Sequence, residues 1–84
     1  MTNNFINWVV DKIVRDINCM RPSHRGPVVE SIQVSNGLIG MIELSLQGWV
    51  DEYNDDFDDC VCVSCLQTAA ETIHRALRNK LAQE

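Results

Sequence analysis

Three amphipathic stretches order the chain, and the middle one decides how the other two are read. Between residues 26 and 54 the sequence GPVVESIQVSNGLIGMIELSLQGWVDEYN carries two competing periods. At about 100° per residue, Val28, Val29, Ile32, Leu38, Ile39, Ile42, Leu46, Trp49, Val50 and Tyr53 fall on one broad arc, as an amphipathic helix requires. Only Val34, Met41 and Leu44 fall clearly off that arc, and Gly37, Gly40 and Gly48 land on or near its polar side. At 180° per residue, Val28, Ile32, Val34, Leu38, Ile42, Leu44, Leu46 and Val50 share a face instead. Ser35-Asn36-Gly37 would then close a hairpin.

The alternating pattern leaves Val29, Ile39, Met41, Trp49 and Tyr53 on the wrong face, so the helical period is the better description. It predicts a long helix from Pro27, bent or broken near Asn36-Gly37. Pro27 and Glu30 suit a first turn, where a proline loses no hydrogen bond and an acidic group complements the helix dipole. Frequent β-branched residues, and interior glycines that each cost about 0.5–1 kcal/mol relative to alanine, keep a hairpin over residues 28–46 as the alternative.

Residues 4–20 form the first amphipathic pattern. Ile6, Val9, Val10, Ile13, Val14, Ile17 and Met20 make one stripe, with Asn3 or Asn4 as N-cap. Phe5 and Trp8 lie at the stripe's edge, a place for core lids or for an interface. Arg21-Pro22-Ser23-His24-Arg25-Gly26-Pro27 is predicted as a loop because of its two prolines and its glycine. From about Asp58 to Ala82 the helical period returns, with Cys62, Cys65, Leu66, Ala69, Ala70, Ile73, Ala76, Leu77 and Leu81 on one face. The expected fold is therefore a small all-α domain of three or four helices spanning residues 1–84, with α-β-β-α as the alternative.

Composition narrows the function more than it identifies it. Eighty-four residues make one domain, which buries only about 60–65% of its unfolded surface. Several apolar faces on so short a chain lead to the expectation of a homo-oligomer. No basic region followed by an apolar run and a cleavage site opens the sequence, and no window has the length and hydrophobicity of a membrane span. The expected location is the cytoplasm, with reduced cysteines and no membrane contact. The net charge of −5 disfavours direct binding to nucleic acid and suits a protein partner with a basic surface.

Three clusters could carry chemistry. The acidic run Asp51, Glu52, Asp55, Asp56, Asp58, Asp59 lacks the glycine that a calcium loop needs at its sixth position. It is either a solvated turn that caps the last helix or a patch that docks on basic protein, with Trp49, Tyr53 or Phe57 as aromatic anchor. Lys12, Arg15, Arg21 and Arg25 are four of the seven basic residues. A helix starting at Pro27 would aim its amides at that loop, so Arg21, Ser23, His24 and Arg25 could hold a phosphorylated, nucleotide-like ligand. The alternative is an exposed loop paired with the acidic run.

The run Cys60-Val61-Cys62-Val63-Ser64-Cys65 looks like a metal motif, in which Cys62 and Cys65 could supply two zinc ligands and Cys19, His24 or His74 complete the set. The helical phase instead buries Cys62 and Cys65 as small apolar residues, and no cofactor is expected. No Gly-rich phosphate loop, HExxH or GxSxG occurs, and no enzymatic activity is expected. The reading that results is a non-catalytic interaction module, most simply an inhibitor that covers a basic functional surface. Small acidic proteins without motifs are found among phage anti-defence factors and immunity proteins, an analogy of size and charge alone. The alternatives are a protein that sequesters a phosphorylated small molecule and a zinc-binding adaptor.

Overall fold

The described residues form four helices: α1 (Asn3–Asn18), α2 (Pro22–Val34), α3 (Ile39–Asp56) and α4 (Leu66–Ala82). They are seen in a computed structural model that describes residues 2–34, 38–57, 60–62 and 65–83. The protein is all-α, and no strand occurs among the described residues. The predicted bend at Asn36-Gly37 lies outside them. Residues 28–34 belong to α2 and residues 39–46 to α3.

The last helix is the centre of the molecule, because α1, α2 and α3 all pack on it. Its apolar face buries Ala69, Ala70, Ile73, His74, Leu77 and Leu81. Around Ile73 and Ala70 gather Phe5, Val9, Ile42, Leu46, Val50 and Tyr53. Around Leu77 and Leu81 gather Val10, Val14, Ile17 and Ile32. Burying each large aliphatic or aromatic side chain of this set contributes about 1.5–3 kcal/mol. The helical phase of the central stretch shows in burial: Ile32, Ile42, Leu46, Val50 and Tyr53 are buried, Val28, Val29, Leu38, Ile39 and Trp49 are half-buried, and Val34, Met41 and Leu44 are exposed.

Helix limits differ from expectation in three places. Thr2, not Asn3 or Asn4, caps α1: its Oγ1 accepts from the Phe5 amide at 3.2 Å. The segment Arg21–Pro27, expected as a loop, is mostly the start of α2. Pro22 takes the first helical position, where its missing N–H costs nothing, and the His24 and Arg25 amides both donate to the Arg21 carbonyl at 2.9 Å. Pro27 then lies inside the helix, where a proline ordinarily costs about 3 kcal/mol. Packing of Val28, Val29 and Ile32 against α1 and α4 offsets it, and Arg78 of α4 donates to the Gln33 carbonyl near the helix's end.

The third difference concerns α4, which starts at Leu66 rather than near Asp58. Asn54 on α3 holds the backbone of Val61 through both its groups, accepting from the amide at 2.8 Å and donating to the carbonyl at 3.1 Å. Val61 is buried in the core cluster. That clamp holds residues 60–62 outside helical structure, and Cys65, with extended dihedrals, becomes the N-cap of α4.

Candidate interaction surface

α1 and α3 run antiparallel across α4, and they close on each other at one end through aromatic rings. Tyr53 stacks on Phe57, with centroids 4.5 Å apart and planes at 27°. Phe5 and Trp8 meet the Tyr53 ring edge-on at 5.3 and 5.4 Å, and Trp8 also meets Phe57 at 6.3 Å. Such pairs contribute about 0.5–1.5 kcal/mol beyond area burial. Lys12 completes this end: its Nζ lies 4.9 Å from the Trp8 ring centroid and 2.8 Å from Glu52 Oε1.

The expected anchors divide within this cluster. Tyr53 is 3% exposed and serves the core, whereas Phe57, at 45%, presents its ring to solvent at the end of the stack. Trp49 is half-buried and belongs to a different feature, an apolar groove farther along α3. Asp55 and Asp56 are exposed beside Phe57, and Asp58 and Asp59 lie outside the described residues.

Of the two readings of the acidic run, a turn that caps the last helix does not describe Asp51, Glu52, Asp55 and Asp56. Asp51, Glu52, Asp55 and Asp56 occupy the C-terminal turns of α3, with no basic residue in its last turn, and the first turn of α4 holds no acidic residue. A helix C-terminus carries roughly half a negative charge, so each carboxylate there works against folding by about 0.3–1 kcal/mol. Glu52 is paired with Lys12, and Asp51 accepts from Gln47 Nε2 at 3.2 Å. Asp55 and Asp56 have no ion pair among the described residues.

The basic segment is less suited to an anion than the sequence suggests. Arg21, Ser23 and His24 are exposed at the start of α2, and Arg25 donates from Nε and a terminal nitrogen to Asn18 Oδ1 at 3.3 Å. With Pro22 lacking an N–H and the His24 and Arg25 amides committed to Arg21, few free amides remain for a phosphate.

All four cysteines are free and exposed, which corrects the expectation that Cys62 and Cys65 are buried on a helix face. Among the described residues no three Cys, His, Asp or Glu side chains converge as a metal site requires. Cys65 and Cys62 border a hollow of about 320 Å³ with Asn3, Ile6, Thr68 and Thr72. The Thr68 hydroxyl, 3.2 Å from Cys65 Sγ, and the Thr68 amide hold that thiol below its ordinary range. Sequence reasoning missed this, since it placed Cys65 within a helix. It also gave Trp8 no partner in the acidic cluster, although its position at the stripe's edge was the available signal.

No helix among the described residues is long and apolar enough to cross a membrane. In comparisons with known proteins, the chain matches no family, no curated protein and no solved structure.

Proposed function

We propose that the protein is a non-catalytic interaction module whose working surface is the C-terminal end of α3, formed by Phe57, Asp55 and Asp56 and backed by Trp8. One observation carries the reading: these carboxylates stand at the helix end where they oppose folding, with no ion pair among the described residues, around an exposed aromatic ring. Local stability does not account for them, and a basic protein surface would. The negative potential would steer encounter with such a surface. Phe57, already ordered by stacking on Tyr53, would bury its ring in a partner pocket at low entropic cost. Covering a basic functional surface in this way makes the protein an inhibitor of its partner, in the manner of a phage anti-defence factor or an immunity protein.

The test is parallel affinity capture from the native host with wild type, Asp55→Lys/Asp56→Lys and Phe57→Ala, read by mass spectrometry. The expected result is a basic protein retained by the wild type, released by moderate salt and lost from both variants, with helicity unchanged. Identical retention by all three chains would remove the proposal.

A further inference from the structure

The aromatic contacts draw α1 and α3 together at one end, and residues of both helices line a groove toward the other. An apolar groove of about 280 Å³ opens there, lined by Ile17, Met20, Val28, Met41, Ile42 and Trp49 among others. Small-molecule sites occupy about 300–1,000 Å³ and enclose most of their ligand, so this groove is the size for a few side chains. Its convex counterpart lies on the same surface. Met41 forms one wall at 63% exposure, and three positions on, Leu44 stands out at 88% exposure.

Four residues to either side of Leu44 come Gly40 and Gly48, and a Cβ built at either glycine meets nothing within 4 Å. No intramolecular contact requires glycine at these positions. Their effect is to let another helix approach the α3 backbone closely, with Leu44 as the projecting side chain between two gaps.

Charge along α3 identifies the occupant. Its C-terminal half carries Asp51, Glu52, Asp55 and Asp56 with no basic residue in the last turn. Its N-terminal turn has no acidic residue, and Leu38 supplies no side-chain cap. Beside that N-terminal end, Met20 and Asp16 line the groove, Arg21 follows Met20 in the chain, and Glu43 is the fifth residue of α3. Each end of the helix therefore lacks what the other end offers. A two-fold axis through the middle of α3 brings the two together, since an antiparallel copy sets Asp51 of one chain near the uncapped helix N-terminus of the other.

We infer that α3 is the interface of a two-fold homodimer, in which Leu44 of each chain seats over Gly48 and against the apolar groove of its partner. The ends bearing Asp55, Asp56 and Phe57 lie away from the axis, so the dimer presents two copies of that surface. The inference does not depend on what those ends bind.

Sedimentation velocity of the full chain over a wide concentration range tests it. The wild type is expected to dimerise, and Leu44→Glu is expected to raise the dissociation constant at least about tenfold, the equivalent of about 1.4 kcal/mol, with unchanged far-UV circular dichroism. Gly48→Leu fills the gap and should weaken the dimer while preserving helicity. Asp51→Lys should weaken it more at low salt than at high salt. Should Leu44→Glu lose helicity, Leu44→Ser reads the same contact. A wild type that is monomeric at its highest soluble concentration overturns the inference, and so does a dimer that survives Leu44→Glu and Gly48→Leu.

Discussion

Neutralising Asp55 and Asp56 should make this protein more stable. Both residues lie in the last turn of α3, which holds no basic residue, and neither has an ion pair among the described residues. A charge in a helix's terminal turn interacts with the macrodipole by about 0.3–1 kcal/mol at low ionic strength. Here the sign is unfavourable for both, so Asp55→Asn/Asp56→Asn should stabilise by about 0.6–2 kcal/mol. Removing two of the charges behind the net −5 acts in the same direction. For a domain of this size each kcal/mol moves the midpoint by about 4–8 °C. Urea and thermal unfolding at low salt are the assays, repeated near 1 M salt, where a Debye length of about 3 Å screens the effect. The gain should shrink there, with the urea m-value unchanged. A loss of stability at low salt, or a gain indifferent to salt, would refute the dipole argument and with it the claim that these carboxylates stand at a cost.

Three further predictions concern the scaffold. Asn54→Ala removes both hydrogen bonds to Val61 and should destabilise by about 1–3 kcal/mol, lowering the thermal midpoint, whereas a change within error would mean that Val61 is held by burial alone. Thr68→Val removes the main group that lowers the Cys65 thiol's pKa. Alkylation of Cys65 by iodoacetamide near neutral pH, followed by peptide mapping, should slow, and its pH profile should move to higher pH. Because the folded chain favours the thiolate, this residue's contribution to stability develops as pH rises through the thiol range and is lost as pH falls. Finally, Gly40→Ala and Gly48→Ala in a monomeric Leu44→Glu background should each add about 0.5–1 kcal/mol by helix propensity, since a Cβ at either position meets nothing. A decrease in the urea midpoint would show that the monomer itself uses those gaps.

Much of the core was legible from period alone. The arc from Val28 to Tyr53 separates the buried Ile32, Ile42, Leu46, Val50 and Tyr53 from the exposed Val34, Met41 and Leu44 without reference to any other part of the chain. The candidate surface was legible only in part. Asp55, Asp56 and Phe57 stand together, but Tyr53 turns inward under Phe5 and Trp8, and Trp49 faces the groove. Nothing along the chain says that residue 8 meets residues 53 and 57, because that contact depends on how α1 lies across α3.

What the sequence determined by itself is which side of each helix faces inward, because 3.6 residues per turn is a local property that an apolar stripe reports directly. What only the tertiary structure decided is where the helices begin and end. Pro22–Gly26 are helical because the packing of Val28, Val29 and Ile32 against α1 and α4 supports a helix that its own proline and glycine disfavour. Residues 60–62 are not helical because Asn54 holds Val61, which is buried in the core. Those two limits carry the functional consequences. The first commits the amides that an anion would have used. The second leaves Cys60, Cys62 and Cys65 exposed and the first turn of α4 without an acidic residue. Periodicity is blind to such limits, since the free energies that set them come from contacts between residues far apart in the chain.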